Sequence, residues 1–233
     1  MKLSIIVPVY NEEKTILEIL KRLDELLIPG ITKEIIIVDD GSTDSTREKL
    51  KKVKNAKVIL HDKNRGKGAA VKTGIKAASG NYIIIQDADL EYHPRYIKNL
   101  VAVVSGQNSV VYGTRLDRLP HLDKEEKKHL FILHYLGNRF LSLVTSILYG
   151  QWITDMETCY KLFPKKAVEK IRINARGFEF EPEITAKLMK QGYKIKEVSI
   201  VATPRGYDEG KKLNTVRDGT KALWSLLKYR FTD

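Results

Sequence analysis

Asp87 and Asp89 stand one residue apart directly after the apolar run Tyr82–Gln86, and Glu91 follows two residues later. Carboxylates at that spacing can offer oxygen ligands to a hard divalent cation, which would also relieve their mutual repulsion. Three other apolar runs end in groups that could handle a ligand: Pro8-Val9-Tyr10-Asn11-Glu12-Glu13, Asp39-Asp40-Gly41-Ser42 and Gly113-Thr114-Arg115. A Rossmann-type dinucleotide site is disfavoured, because Tyr10-Asn11-Glu12-Glu13 stands where the glycine-rich turn would have to be and its acids would repel a pyrophosphate. Gly66-Lys67-Gly68-Ala69-Ala70 lacks the spacing of a phosphate loop. Its glycines are expected to permit close helix packing, with Arg65 and Lys67 turned towards a ligand.

The elements that must position these groups follow from periodicity. Leu3–Val9, Glu34–Val38, Lys57–Leu60, Tyr82–Gln86 and Ser109–Gly113 read as short buried strands. Helical spacing separates them: Ile16 to Leu27, a stretch from about Asp44, Gly66–Ser79 and His93–Val104. Strands joined by helices pair in parallel, which predicts an α/β fold with a doubly wound, mainly parallel sheet. Ligands bind such a sheet at the carboxyl ends of its strands, where all four polar groups stand. Asn11 is expected to cap the first helix, with Glu12 and Glu13 in its first turn.

After residue 115 the rhythm changes. Asp123–Tyr149 reads as one long helix or two, with a broad apolar stripe (Leu130, Leu133, Phe140, Leu141, Val144, Ile147, Leu148) and a narrow polar one (His134, Asn138, Ser142, Thr145). So apolar a helix must be buried in the protein or laid on a membrane, and core packing is the commoner case. Tyr160–Phe163 and residues 194–201 are strand-like. Thr215–Phe231 is helical, with Val216, Leu223, Leu227 and Phe231 on one face. Trp152 and Trp224 suit a membrane interface or a core equally.

The chain has 233 residues, 42% of them hydrophobic, enough for a sizeable core. A single cysteine, Cys159, excludes a disulfide framework and a multi-cysteine zinc site. The N-terminal run is too short and too soon charged for a signal peptide, and no stretch of 18 apolar residues is present. These bounds point to a soluble or surface-associated protein of a reducing compartment. Forty-one Lys and Arg against 29 Asp and Glu leave a formal charge of +12. Residues 49–76 carry ten of the bases and one acid, either as a solvated helix face or as a site for a polyanion. No aromatics interleave with this stretch, which argues against a nucleic-acid platform. A nucleic-acid role would also leave the acidic strand ends unexplained.

Taken together, V-P-V-Y-N-E-E, V-D-D-G-S-T-D, N-R-G-K-G-A-A and Q-D-A-D-L resemble the inverting family 2 glycosyltransferases of GT-A fold over roughly residues 3–215. D-A-D-L-E-Y-H-P and the later G-T-R most resemble dolichyl- and polyprenyl-phosphate sugar synthases, especially the mannose synthases. The resemblance implies a glycosyltransferase domain over 1–215, with a nucleotide-binding half (1–115), an acceptor half (116–215) and an amphipathic helix at 216–233. It implies that Pro8, Tyr10 and Glu12 line the nucleoside pocket. Asp39, with Asp40 and the adjoining Val38, would serve the base or ribose. Lys67 and Ala88 would line the donor site. Asp87, Asp89 and Glu91 would hold Mg²⁺ or Mn²⁺ on the donor diphosphate, and Arg115, Arg139, Arg205 and Lys212 would contact phosphates. The implied partners are a nucleotide-diphosphate sugar and a polyprenyl or dolichyl phosphate, met at the inner face of the cell membrane. A lipid phosphate is already ionised and needs no general base. A hydroxyl acceptor would need one, and Asp155 is the candidate.

Overall fold

Apolar β-branched runs without a polar face are satisfied only between two helical layers. The computed structural model, which describes residues 1–116, 128–203 and 215–232, places them there. Among these residues one sheet is built from β1 (Lys2–Val9), β2 (Thr32–Asp39), β3 (Lys57–Leu60), β4 (Tyr82–Ile85), β5 (Val110–Thr114), β6 (Lys161–Pro164) and β7 (Ile195–Ser199). The helices are α1 (Ile16–Asp24), α2 (Thr46–Leu50), α3 (Lys67–Ala77), α4 (Tyr96–Ala102), α5 (Lys128–Tyr149), α6 (Lys165–Glu169), α7 (Phe180–Lys190) and α8 (Thr215–Phe231).

The strand order is β3-β2-β1-β4-β6-β5-β7. β1 pairs in parallel with β2 and β4, β2 with β3, and β5 with β7. The order reverses beside β1, and a crevice opens there at the strands' carboxyl ends. β6 departs from the parallel rule, running antiparallel to both β4 and β5. Its residues are buried throughout, so nothing in their pattern marks direction.

Leu3, Ile5, Ile6, Val7, Ile36, Ile37, Val38, Ile83 and Ile84 are wholly buried. Each contributes roughly 1.5–3 kcal/mol by leaving water. Helix α3 lies close on β1: a Cβ on Gly74 would come within 2.4 Å of Ile6 Cγ2. Pro8 sits beyond Ile6, the last β1 residue paired with β4, so its missing N–H costs no bond on that side.

Two expectations are corrected. Asn11 does not cap α1, which starts at Ile16 after Thr15. Asn11 instead takes a left-handed turn (φ 50°), and its side-chain oxygen accepts the Thr43 amide at 2.8 Å. Asn tolerates that conformation, and a tight turn between β1 and α1 requires it. The second correction concerns α5. Its polar stripe faces inward: Asn138, Ser142 and Thr145 are buried. Leu133, Leu136, Phe140, Leu143 and Ile147 are exposed, Ile147 by 72%. The inward hydroxyls have work to do. Ser142 Oγ accepts the Met156 amide at 2.9 Å, and Ser146 Oγ accepts the Ile153 amide at 3.1 Å, which pins the segment 153–156. Helix α8 packs on α5 and α7 through Ala222, Leu226 and Tyr229 and exposes Val216, Trp224, Leu227 and Phe231. Among the described residues no helix is long and apolar enough to cross a membrane.

Candidate active site

The crevice holds a cleft of about 520 Å³, and the sequence motifs meet in it: Pro8, Tyr10 and Glu12 after β1, Asp40 after β2, Lys67 on α3, Asp87, Ala88, Asp89 and Glu91 after β4, and Arg115 after β5. Val38 does not reach it, being buried in the sheet beside Pro8. Arg205 and Lys212 lie outside the described residues.

The two aspartates ending β2 divide their work. Asp40 holds a loop: it accepts the Arg65 amide at 3.0 Å and the Gly66 amide at 2.7 Å, and His61 Nδ1 lies 2.7 Å from it. Gly66 is obligatory there. Its φ is +94°, and a Cβ would lie 2.3 Å from the Arg176 carbonyl oxygen. Asp39 is wholly buried, and its Oδ2 accepts Arg47 Nε at 2.7 Å and the Ser42 amide at 3.2 Å. Its Oδ1 is sealed from solvent and has no hydrogen-bond partner among the described residues, and Asp39, expected at the base or ribose, does not line the cleft.

Buried Gln86 shapes the turn after β4, donating to the carbonyls of Asp87 and Tyr92, both at 3.0 Å. Leu90, between Asp89 and Glu91, is held at φ 65°, a costly conformation for a branched side chain and a mark of functional turns. Lys67 Nζ stands 2.9 Å from Asp87 and 3.0 Å from Glu181. Burial works against its charge, but Asp87 and Glu181 more than compensate and raise its pKa well above the ordinary lysine value.

Arg115 lines the same cleft. Asp155 clamps it, with Oδ2 accepting Arg115 Nε at 2.7 Å and the Arg115 amide at 3.0 Å, and Oδ1 accepting the guanidinium at 2.8 Å. Burial opposes ionisation of Asp155, but the Arg115 charge and hydrogen bonds prevail and lower its carboxyl pKa. Asp155 is wholly buried and does not line the cleft. Both its oxygens are engaged, which corrects the expectation of a general base: it positions Arg115. Arg139 is corrected too. It is exposed on α5 and does not line the cleft, and its guanidinium donates to the Leu116 carbonyl, next to Arg115, at 3.0 Å. His134, five residues earlier on the same helix, does line the cleft.

Sequence reasoning missed Glu157, Phe178, Glu179 and Glu181, and the α8 residues Arg217, Asp218 and Lys221, all of which line the cleft. Alternation of acids with aromatics in Phe178-Glu179-Phe180-Glu181 was the available signal. Glu157 sits on a turn braced by buried Lys161, whose Nζ donates to the carbonyls of Met156 (2.8 Å) and Thr158. Burial, then the neighbouring Glu181 charge, pushes the Glu157 carboxyl up to about 7.

The residues present fit a divalent cation in one particular way. Asp87, Asp89 and Glu91 are hard oxygen donors lining one cleft, but among the described residues no three acids or imidazoles converge into a ready-made ligand set. Lys67 already supplies counter-charge at Asp87. The expected three-carboxylate set is therefore corrected to one or two carboxylates that would share a cation with diphosphate oxygens, as Mg²⁺ sites commonly do.

A mostly parallel sheet of this order, with acids and an arginine gathered in one cleft at its carboxyl rim, has the GT-A-type architecture of glycosyltransferases. The family model of glycosyl transferase family 2 matches residues 4–172, and the chain belongs to that family. An uncharacterized protein of Methanocaldococcus jannaschii is 33% identical over 232 residues, covering 97% of this chain and 91% of that protein. A dolichol-phosphate mannosyltransferase of Pyrococcus furiosus is 30% identical over 240 residues, covering 98% of this chain, which spans 64% of that protein's length. Among solved structures, glucosyl-3-phosphoglycerate synthase of Mycobacterium tuberculosis with Mn²⁺, UDP-glucose and phosphoglyceric acid superposes with a TM-score of 0.74. It is 20% identical and covers 98% of this chain and 79% of its own. The same enzyme with Mg²⁺ and UDP gives 0.72 at 20% identity, with the same coverage. The chain is a glycosyltransferase.

Proposed function

We propose that the protein transfers a hexose, mannose by preference, from a nucleotide-diphosphate sugar to a polyprenyl or dolichyl phosphate, with inversion and with a divalent cation. The observation that carries this reading is Arg115, held by buried Asp155 and sharing one cleft with Asp87, Asp89 and Glu91. The acids suit a cation-bound donor diphosphate, and the fixed guanidinium suits a second phosphate. Residues 1–115 would serve the donor, with Tyr10 and Glu12 at the nucleoside. Residues 116–215 would supply the acceptor side of the cleft, against which the donor's sugar lies.

Cleavage of the sugar–diphosphate bond builds negative charge on the leaving group, which a bound Mg²⁺ or Mn²⁺ would neutralise. Arg115 adds fixed positive charge that needs no reorganisation as the bond breaks. A phosphate acceptor brings its own charge, so the engagement of Asp155 leaves no gap in the chemistry. The Pyrococcus mannosyltransferase supports this acceptor class by its name.

A lipid acceptor also accounts for the surface. Helix α8 brings Arg217 and Lys221 to the cleft and turns Trp224, Leu227 and Phe231 outward, next to the exposed stripe of α5. Apolar patches of this kind mark membrane or partner surfaces. Nearby bases would add about 1 kcal/mol each on anionic lipid. We infer peripheral docking at the cytoplasmic membrane face.

The test supplies purified protein and Mn²⁺ with labelled GDP-mannose or UDP-glucose and polyprenyl phosphate in detergent. The expected result is label in the organic phase. Label that passes only to a hydroxyl acceptor such as 3-phosphoglycerate overturns the lipid-phosphate reading.

A further inference from the structure

We propose that Glu157 and Glu181 form the subsite that receives the hydroxyl groups of the transferred sugar. This rests on the glycosyl-transfer reading above and adds what that reading leaves open, which residues grip the hexose itself.

Both residues line the cleft that holds Asp87, Asp89 and Arg115. Each carries one carboxylate oxygen, Glu157 Oε1 and Glu181 Oε2, that is sealed from solvent and has no hydrogen-bond partner among the described residues. Glu181 is 96% buried, being 4% exposed. Folded proteins rarely leave one such acceptor unsatisfied, let alone two in one cleft. A ligand with several O–H donors satisfies both.

The chemistry of the ligand follows from the oxygens. The Glu181 carboxylate, paired with Lys67, only accepts hydrogen bonds and repels a phosphate, while the Glu157 carboxyl can accept or donate one, so together they select a neutral polyhydroxyl group. Phosphates belong with the guanidinium of Arg115, which lines the same cleft. Placement agrees. Lys67 grips Asp87 at 2.9 Å and Glu181 at 3.0 Å, which fixes the new subsite one ammonium away from the acids that face the diphosphate. A hexose joined to that diphosphate through C1 must lie within this reach. The subsite is also rigid, because Glu181 is in the first turn of α7 and the turn bearing Glu157 is held from below by Lys161.

Calorimetry with Mn²⁺ tests this. GDP, GDP-mannose, UDP and UDP-glucose are titrated into the wild-type protein, Glu157→Ala, Glu157→Gln and Glu181→Gln. Glu157 makes no hydrogen bond among the described residues, so its variants serve even if Glu181→Gln fails to fold. For the nucleotide that binds, we expect the variants to keep affinity for the free diphosphate within about twofold. The ratio of nucleotide-sugar to diphosphate affinity should fall about tenfold, near 1.4 kcal/mol. Donors lacking single sugar hydroxyls should lose that difference between variant and wild type. An unchanged ratio, or equal losses for diphosphate and nucleotide sugar, overturns the subsite alone. A wild-type protein that binds no nucleotide overturns the donor reading and the subsite with it.

Discussion

Replacing Asp155 separates a positioning residue from a general base. Asp155 is wholly buried and spends its carboxylate on three bonds to Arg115, whose side chain stays 20% exposed. Removing one partner of a buried pair costs about 3–5 kcal/mol, and the partial exposure of Arg115 places Asp155→Ala near the low end, about 3 kcal/mol. With a urea m-value of about 3 kcal/mol/M the unfolding midpoint should drop by about 1 M. The loss should depend on pH in a stated direction. The folded-state pKa of Asp155 lies below the ordinary 3.8, so its stabilisation is complete above 3.8 and fades as pH falls through the lowered value. The gap between wild type and variant should therefore narrow in acid.

Catalysis supplies the sharper test of the same pair. Asp155→Asn keeps the shape and loosens Arg115, and turnover should fall about 10²-fold, as for loss of one fixed charge stabiliser. Arg115→Met should fall as far or further. If Asp155 acts only through Arg115, adding Asp155→Asn to Arg115→Met costs less than about twofold more. A base would add its own loss, about 10²-fold or greater. Multiplicative losses in the double variant would refute the positioning role.

Further outcomes follow from other parts of the cleft. Glu157 binds a proton in the folded protein up to about pH 7, while the unfolded chain releases it near 4.5, so wild-type stability should fall across that window. Glu157→Gln should become more stable than wild type by up to roughly 3 kcal/mol at pH 8 and be equal near pH 4.5, by thermal melts at both pH values; an equal difference at both contradicts the assignment. Asp89→Ala should lower transfer more than about 10²-fold, and chelator should do the same to wild type until Mn²⁺ is restored; full activity in chelator removes the cation from the reaction. Gly66→Ala should cost about 2–4 kcal/mol in denaturant, from the positive φ and the clash with the Arg176 carbonyl, where an exposed glycine such as Gly106→Ala would cost only the strain of its φ of 76°.

Much of this protein was legible from local pattern. Unbroken apolar runs such as Leu3–Val9 and Tyr82–Gln86 marked the central strands, since a strand covered on both faces has no polar alternation. The acids and turn residues directly after them were assigned to one rim because parallel strands share a carboxyl end. Asp87, Asp89, Tyr10 and Arg115 do meet there. Lys57–Leu60 and Thr215–Phe231 were bounded to the residue.

What only the tertiary structure decided concerns partners and direction. The antiparallel run of β6 depends on how the chain returns to the sheet, which four wholly buried residues do not encode. Whether α5 turned its leucines inward depended on what waited inside, and the loop 153–156 offered amides that Ser142 and Ser146 could bond. Asp155 reads alike as base or clamp until Arg115, 40 residues earlier, is seen to fill it. Glu157 carries no local signature and Glu181 only the acid–aromatic alternation of 178–181, because their meaning lies in two unsatisfied oxygens brought to one cleft by separate elements. Hydrophobic periodicity is a property of neighbours in the chain, whereas hydrogen-bond satisfaction and charge pairing are properties of neighbours in space.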